Sequence, residues 1–174
     1  LATVGRNAVI LVGLGANLDS PRYGPPRRTL EAALARLGAG GIRVAACSRF
    51  YRSAPVPASD QPWYVNAVAE VETPLAPGDL LKALLAVEVE FGRVRSVANA
   101  ARMLDLDLLA YGDAVTAADA VPALPHPRLA GRAFVLCPLA EIAPDWCHPA
   151  TGAPVSSLIR ALPADQVARP LAGD

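Results

Sequence analysis

Charge is scarce in this chain and balanced in sign. Charged residues are 18% of its 174 residues, and 16 basic side chains face 16 acidic ones. A formal net charge of zero argues against a general binder of nucleic acid or of an anionic membrane surface, since both need a basic excess. Lysine is almost missing. Lys82 is the only one, and the remaining basic residues are arginines, an excess that biased coding composition mostly explains. Cysteine is rare and odd in number, at positions 47, 137 and 147, with no C-x-x-C. That excludes a disulfide framework and leaves no zinc signature, and it fits a reducing cytoplasm. No apolar run is long enough to span a bilayer, and the start shows no basic stretch leading into an apolar one. There is no internal repeat. Aromatic residues are 5% of the chain, and no strand has the aromatic-rich pattern of an RNA-binding sheet. What is abundant is apolar: 53% hydrophobic residues exclude disorder, and the length suits a single domain spanning residues 1–174.

Against that apolar background the segment Arg102-Met103-Leu104-Asp105-Leu106-Asp107-Leu108 stands out. Side chains alternate faces along a strand, so Asp105 and Asp107 share one face while Leu104, Leu106 and Leu108 point to a core. Two adjacent anions repel, more so when partly buried, and need neutralising. Mg²⁺ does this with one or two carboxylates plus substrate phosphates. Arg93, Arg95 and Arg102 lie just upstream, and arginine forks onto phosphate oxygens. Carboxylates beside arginines suggest a nucleotide-phosphate site. A strand end with one solvated face is the plainer alternative for the Asp pair alone.

The rest of the pattern gives a topology. Ala8 to Leu14 reads as a buried strand ending in Gly13-Leu14-Gly15-Ala16-Asn17-Leu18, where Leu18 breaks any dinucleotide fingerprint. Thr29 to Leu37 is helical, stopped by the glycines that follow. Ile42 to Ser53 and Tyr64 to Glu72 are strand-like and form a hairpin. Val65, Ala67, Ala69 and Val71 take one face of the second strand, and Tyr64, Asn66, Val68, Glu70 and Glu72 the other. A second helix follows Thr73 and Pro77 and ends at Gly92. The Asp-bearing strand runs from Met103 to Tyr111. Helices are expected over Gly131 to Ile142, despite Pro138, and over Pro154 to Leu162. Strand, helix, strand, strand, helix, strand is the split β-α-β order of a ferredoxin-like α+β sandwich, with a mainly antiparallel sheet and helices covering one face.

Three further sets of residues have chemical options. Tyr64 and Asn66 share a strand face and suit a heterocycle, one by stacking and one by hydrogen bonding; taken alone, an ordinary half-buried strand is the simpler account of them. His126 lies between Pro125 and Pro127, six residues before Arg132, and either contacts phosphate or makes a structural hydrogen bond. Glu88, near a helix end, either accepts from a ribose, pairs with an arginine, or sits on a solvated helix face.

Together these segments resemble the 6-hydroxymethyl-7,8-dihydropterin pyrophosphokinase family. The likeness runs from about Val9 to about Thr151. It rests on Gly15-Ala16-Asn17-Leu18, Phe50-Tyr51-Arg52-Ser53-Ala54-Pro55, Asp60-Gln61-Pro62-Trp63-Tyr64-Val65-Asn66-Ala67, Gly92-Arg93-Val94-Arg95, Arg102 to Asp107, Pro125-His126-Pro127-Arg128 and Arg132 to Leu139. The resemblance implies a monomeric cytoplasmic enzyme that moves pyrophosphate from ATP to the pterin hydroxymethyl oxygen and releases AMP, with no nucleic-acid or membrane partner. It implies that Asp105 and Asp107 hold two Mg²⁺ ions. Tyr64 and Phe134 would sandwich the pterin, Asn66 would bond its edge, and backbone of Gly15, Ser53 and Val56 would line the pocket. Glu88, Arg93, Arg95, Arg102, Leu108, His126 and Arg132 would serve ATP, with Arg93, Arg95 and Arg102 joining the two aspartates in catalysis. The family's lid carries a basic residue, Trp and Pro before the arginine matching Arg102. Here Ser96-Val97-Ala98-Asn99-Ala100-Ala101 stands instead, one residue shorter. A non-catalytic ferredoxin-like sensor of nucleotide or pterin is the alternative, and an acidic pair is superfluous for it.

Overall fold

The computed structural model describes residues 8–93 and 100–173. In chain order the elements are β1 (Ile10–Ala16), α1 (Pro26–Ala39), β2 (Arg43–Cys47), β3 (Tyr51–Ser53), β4 (Tyr64–Glu72), α2 (Pro77–Glu90), β5 (Asp105–Tyr111), α3 (Ala133–Ile142), α4 (Val155–Arg160) and β6 (Ala168–Pro170). The strands form one antiparallel sheet in the order β5-β1-β4-β3-β6, and β2 pairs with the far end of β4. β1-α1-β2 and β4-α2-β5 are the two split β-α-β halves, so the fold is ferredoxin-like α+β.

Both long helices start with a proline in the first turn, where its missing N–H costs nothing. α1 buries Leu30, Ala33 and Leu37, and α2 buries Leu80, Leu84 and Val87, each a stripe at helical spacing. They meet Val12, Leu14, Ala67, Ala69, Val71, Leu106 and Leu108 on one face of the sheet. Full burial of such side chains stabilises by roughly 1.5–3 kcal/mol each before entropy is counted.

The other face is covered too, against the expectation of a one-sided sandwich. Val135, Leu136 and Leu139 of α3 and Val155 of α4 pack on Leu11, Val68, Leu109 and Ala110. Val68 thus belongs to a second core rather than to a half-solvated face. Ile42 to Ser53 is not one strand. It breaks at residues 48–50, where Phe50 turns into the first core and Ser48 exchanges hydrogen bonds with the backbone of Val68. Thr73 lies ahead of α2, whose first turn follows Ala76. α3 starts at Ala133, two residues later than expected, and keeps Pro138 inside it. β6 has no forerunner in the sequence reading.

α3 covers only part of its face, and the glycines of β1 show why. Gly13 and Gly15 point to the α3 side of the central strand, between Val68 and Asn66 on β4 and Asp107 and Asp105 on β5. Leu109 packs over Gly13, and at Gly15 the floor is free of a side chain of its own, with an amide on one flank and two carboxylates on the other. A Cβ on Gly15 would lie 3.0 Å from Asn66 Oδ1.

Candidate active site

The floor opens into a cavity of about 260 Å³. Arg93, Arg102, Asp105, Asp107, Arg128 and Arg132 line it together with Gly15, Ser53, Val56, Tyr64, Asn66 and Phe134. The carboxylates stand on the β5 side, and the amide and aromatic residues on the β4, β3 and α3 side.

Leu104, Leu106 and Leu108 are buried in the first core, which turns Asp105 and Asp107 to the opposite, cleft face. Asp105 Oδ1 accepts from Arg102 Nη1 at 2.6 Å and from Arg93 Nη1 at 3.4 Å. Burial, then the neighbouring Asp105, push the Asp107 carboxyl above the ordinary range, against the pull of His126, Arg132 and Arg102. The two carboxylates share the cleft face, as the alternation of the sequence implied. Among the described residues no third His, Cys, Asp or Glu joins them in a protein-only metal cluster. Two hard oxygen donors on an open cleft suit a cation whose remaining ligands are water and phosphate.

Of the options for Glu88, pairing with an arginine is the one the structure shows, in a buried setting. Its side chain is 0% exposed. β5 is an edge strand, so its outer N–H groups need acceptors from elsewhere. Glu88 Oε1 accepts the Leu106 N–H at 2.6 Å, and its other oxygen pairs with Arg93. Burial pushes this carboxyl up to about 7, against the lowering effect of those two partners. Glu88 therefore ties α2 to β5 and holds Arg93 beside Asp105; neither a ribose contact nor a solvated helix face fits its position. The Leu108 side chain is likewise enclosed in the core, leaving only its backbone to meet a ligand. Arg95 and the lid residues 94–99 lie outside the described residues.

His126 sits in a run with cis peptide bonds before Pro122 and Pro125. Its N–H donates to Leu109 O at 2.8 Å, locking the loop to β5, and its Nδ1 accepts the Arg128 N–H at 3.2 Å. That leaves Nε2 4.0 Å from Asp107 Oδ1. Burial holds the imidazole below its ordinary value, opposed by Asp107 and aided by Arg132 and Arg128. Arg132 follows one helical turn, Leu129–Gly131, and is extended at φ −124°, ψ 113° before α3 begins. Its guanidinium lies 5.3 Å from the Phe134 ring centroid.

On the other flank, Ser53 and Tyr64 are direct partners across β3 and β4. Asn66 Nδ2 donates to Ser53 Oγ at 2.6 Å, both residues being buried. Val56 is 44% exposed at the rim. Tyr64 is half-buried, and its OH reaches Gln61 Oε1 at 3.3 Å and Ala100 O at 3.4 Å.

Three further residues contribute to the cleft. Arg128 lines the cleft two residues past His126. Gln61 lines it beside Tyr64. Asn17, 3% exposed, joins the two flanks. Its Oδ1 accepts the Arg102 N–H at 2.8 Å, while its Nδ2 donates to Pro62 O at 3.0 Å and Gln61 Oε1 at 3.2 Å. A backbone N–H can only donate and a carbonyl only accept, so the amide orientation is unambiguous. Asn17 belongs to the Gly15-Ala16-Asn17-Leu18 motif, and only the folded chain shows what it bridges.

A ferredoxin-like sandwich with an acidic pair, a ring of arginines and an adjoining pocket for a planar polar ring is the class of fold and site in hand. The sequence profile described as 7,8-dihydro-6-hydroxymethylpterin-pyrophosphokinase (HPPK) matches residues 11–144. The 2-amino-4-hydroxy-6-hydroxymethyldihydropteridine pyrophosphokinase of Synechocystis is 43% identical over 150 residues, covering 86% of this chain and 73% of that one. The protein of the same description from Pseudomonas aeruginosa is 41% identical over 161 residues, covering 92% and 95%. Among solved structures, an HPPK-DHPS in complex with substrates superposes with a TM-score of 0.66 at 12% identity, over 90% of this chain. The chain spans 43% of that longer one, and the likeness there concerns the fold. The chain belongs to the 7,8-dihydro-6-hydroxymethylpterin-pyrophosphokinase family. Among the described residues no helix is long and apolar enough to cross a membrane.

Proposed function

We propose that the chain is an ATP-dependent pyrophosphokinase, transferring the β,γ-diphosphate of ATP to the hydroxymethyl oxygen of 6-hydroxymethyl-7,8-dihydropterin and releasing AMP. The observation that carries this reading is the β1 register, which sets Asp105 and Asn66 on opposite flanks of Gly15, a residue with no side chain, with Asp107 opposite Gly13 on the same side as Asp105. A phosphate chain over β5 and a ring over β4 would then meet above Gly15.

Asp105 and Asp107 would hold Mg²⁺, with two ions expected alongside ATP. When bound, the metal supplies charge neutralisation on the phosphate oxygens. Arg93, Arg102 and Arg132, with Arg95, stabilise charge on the transferred group and on departing AMP. The Asp105 ion pairs keep Arg93 and Arg102 facing the cleft, and a polyphosphate offers both a more highly charged acceptor. His126 accepts the Arg128 N–H on Nδ1, which leaves its Nε2–H to donate to phosphate. Tyr64 and Phe134 hold the pterin ring, and Asn66, fixed by Ser53, reads its amide edge. A buried amide left unpaired by the wrong ring is costly, which gives specificity. Gly15 and Val56 shape the pocket, and the Leu108 backbone and Glu88, acting through Arg93, support the nucleotide side. The reading includes a cytoplasmic monomer acting as one pyrophosphokinase domain without nucleic-acid or membrane partners, in keeping with its balanced charge.

The test is AMP formation from ATP, followed by coupled assay. AMP released only when Mg²⁺ and the pterin are both present supports the reading. No AMP, or ADP in its place, overturns it.

A further inference from the structure

The residues after Ile142 hold α4 and a tail that ends on the sheet, and the family profile stops at residue 144. Two features tie this tail to the walls of the cleft.

The first is Gln166. α3 begins immediately after Arg132, which serves as its N-cap and offers no side-chain acceptor. The first N–H groups of a helix need partners from outside it. Gln166 Oε1 accepts the Ala133 N–H at 2.8 Å, and Gln166 Nε2 donates to Gly131 O at 2.8 Å. One planar amide therefore brackets Arg132, gripping the peptide groups on both sides of it. Arg132 is the single extended residue between a helical turn and α3, where the chain would otherwise pivot. Phe134 follows two residues later.

The second is β6. It adds to the outer edge of the three-residue β3, pairing Ala168 with Ser53, and Leu171 N–H donates to Phe50 O at 2.8 Å. Leu171 packs on the first core. Ser53 in turn orients Asn66. The tail thus braces the Ser53–Asn66 wall and the Arg132–Phe134 wall together.

We infer that the C-terminal segment 163–171 is a working part of the cleft, with Gln166 the positioning residue that sets Arg132 and Phe134. This rests on the pyrophosphokinase reading above. Gln166 itself does not line the cavity, so it acts through the residues it grips.

The test compares wild type with Gln166→Leu and with Gln166→Met, which keeps the side-chain length should the leucine variant fold poorly. Each is assayed well below its own melting temperature. We expect kcat/KM to fall roughly ten-fold, the scale of two lost hydrogen bonds and a displaced reacting group. The loss should be split between a lower kcat, through Arg132, and a higher KM for the pterin, through Phe134. The KM for ATP should move less, since other arginines remain. A lower melting temperature with kcat and both KM values unchanged would make the tail a brace for stability only and overturn the inference. Wild type without AMP formation would overturn the pyrophosphokinase reading and this inference with it.

Discussion

Replacing Asn17 by alanine tests how the two flanks of the cleft are kept in register. The side chain is buried and makes three hydrogen bonds, one from the Arg102 N–H and two to the 61–62 segment. Alanine strands the part-buried Arg102 N–H, at a cost of up to about 1–3 kcal/mol, and removes two bonds worth about 1 kcal/mol each where water does not replace them. The Pro62 carbonyl and Gln61 have more access to solvent, so the net loss should be about 2–3 kcal/mol. For a chain of this size each kcal/mol lowers the melting temperature by roughly 2–4 °C, giving a drop of about 5–10 °C. The kinetic effect should exceed the thermal one in importance. Arg102 O still accepts from the N–H groups of Asn17 and Leu18, so the chain stays near, but the freed peptide lets the guanidinium wander from Asp105. A misplacement of about 1 Å can cost a factor near one hundred in turnover. Asn17→Asp separates the flanks. It keeps an acceptor for the Arg102 N–H and turns a donor into a repulsive contact with Pro62 O. That variant should retain most of kcat and lose pterin affinity instead. Differential scanning fluorimetry and steady-state kinetics on both variants decide the matter. A full-speed Asn17→Ala enzyme, or one that melts with wild type, would refute the bridging role.

Two further outcomes follow from the geometry. Phe134→Ala should weaken pterin binding by about 1–3 kcal/mol through lost burial and stacking, with ATP affinity measured alone changing little; calorimetry showing the reverse pattern would mean the two pockets are misassigned. For Glu141, burial pushes the carboxyl up, but the Arg49 N–H, the Tyr51 OH and the Arg49 side chain outweigh it and hold the group below its ordinary value. A depressed carboxyl stabilises the fold above its unfolded value of about 4.3 and loses that contribution as the pH falls through the folded one. The stability gap between wild type and Glu141→Gln should therefore be full at neutral pH and close on acidification, and urea titrations showing a gap independent of pH from 7 down to about 3 would contradict the assignment.

The legible parts of this protein were those in which neighbours in sequence are also neighbours in space. Asp105 and Asp107 could be read from period-two alternation inside an apolar run, and the split β-α-β order from the spacing of helices and strands. Glu88 could not. A carboxylate near a helix end looks solvated until the edge position of β5 is known, and only then does the Leu106 N–H require it. The alternation of Gly13 and Gly15 was visible, but its meaning depends on β1 lying between β4 and β5. Covering of the second sheet face by α3 was hidden because Val68 alone interrupts a polar-looking stripe. β6, three residues ending in proline, has no periodicity to detect, and Gln166 is one glutamine among loop residues until the tail folds back.

The most direct check is a single-turnover reaction of ATP and 6-hydroxymethyl-7,8-dihydropterin with Mg²⁺, comparing wild type with Asp107→Ala and quantifying AMP and pterin diphosphate together. The geometry predicts equal amounts of both products from wild type. It predicts a rate lower by about two orders of magnitude or more in a variant that still melts as a folded protein, since charge stabilisation at the phosphates is the main catalytic effect. Near-normal product formation by folded Asp107→Ala would contradict the assignment of the carboxylate pair as the centre of the reaction.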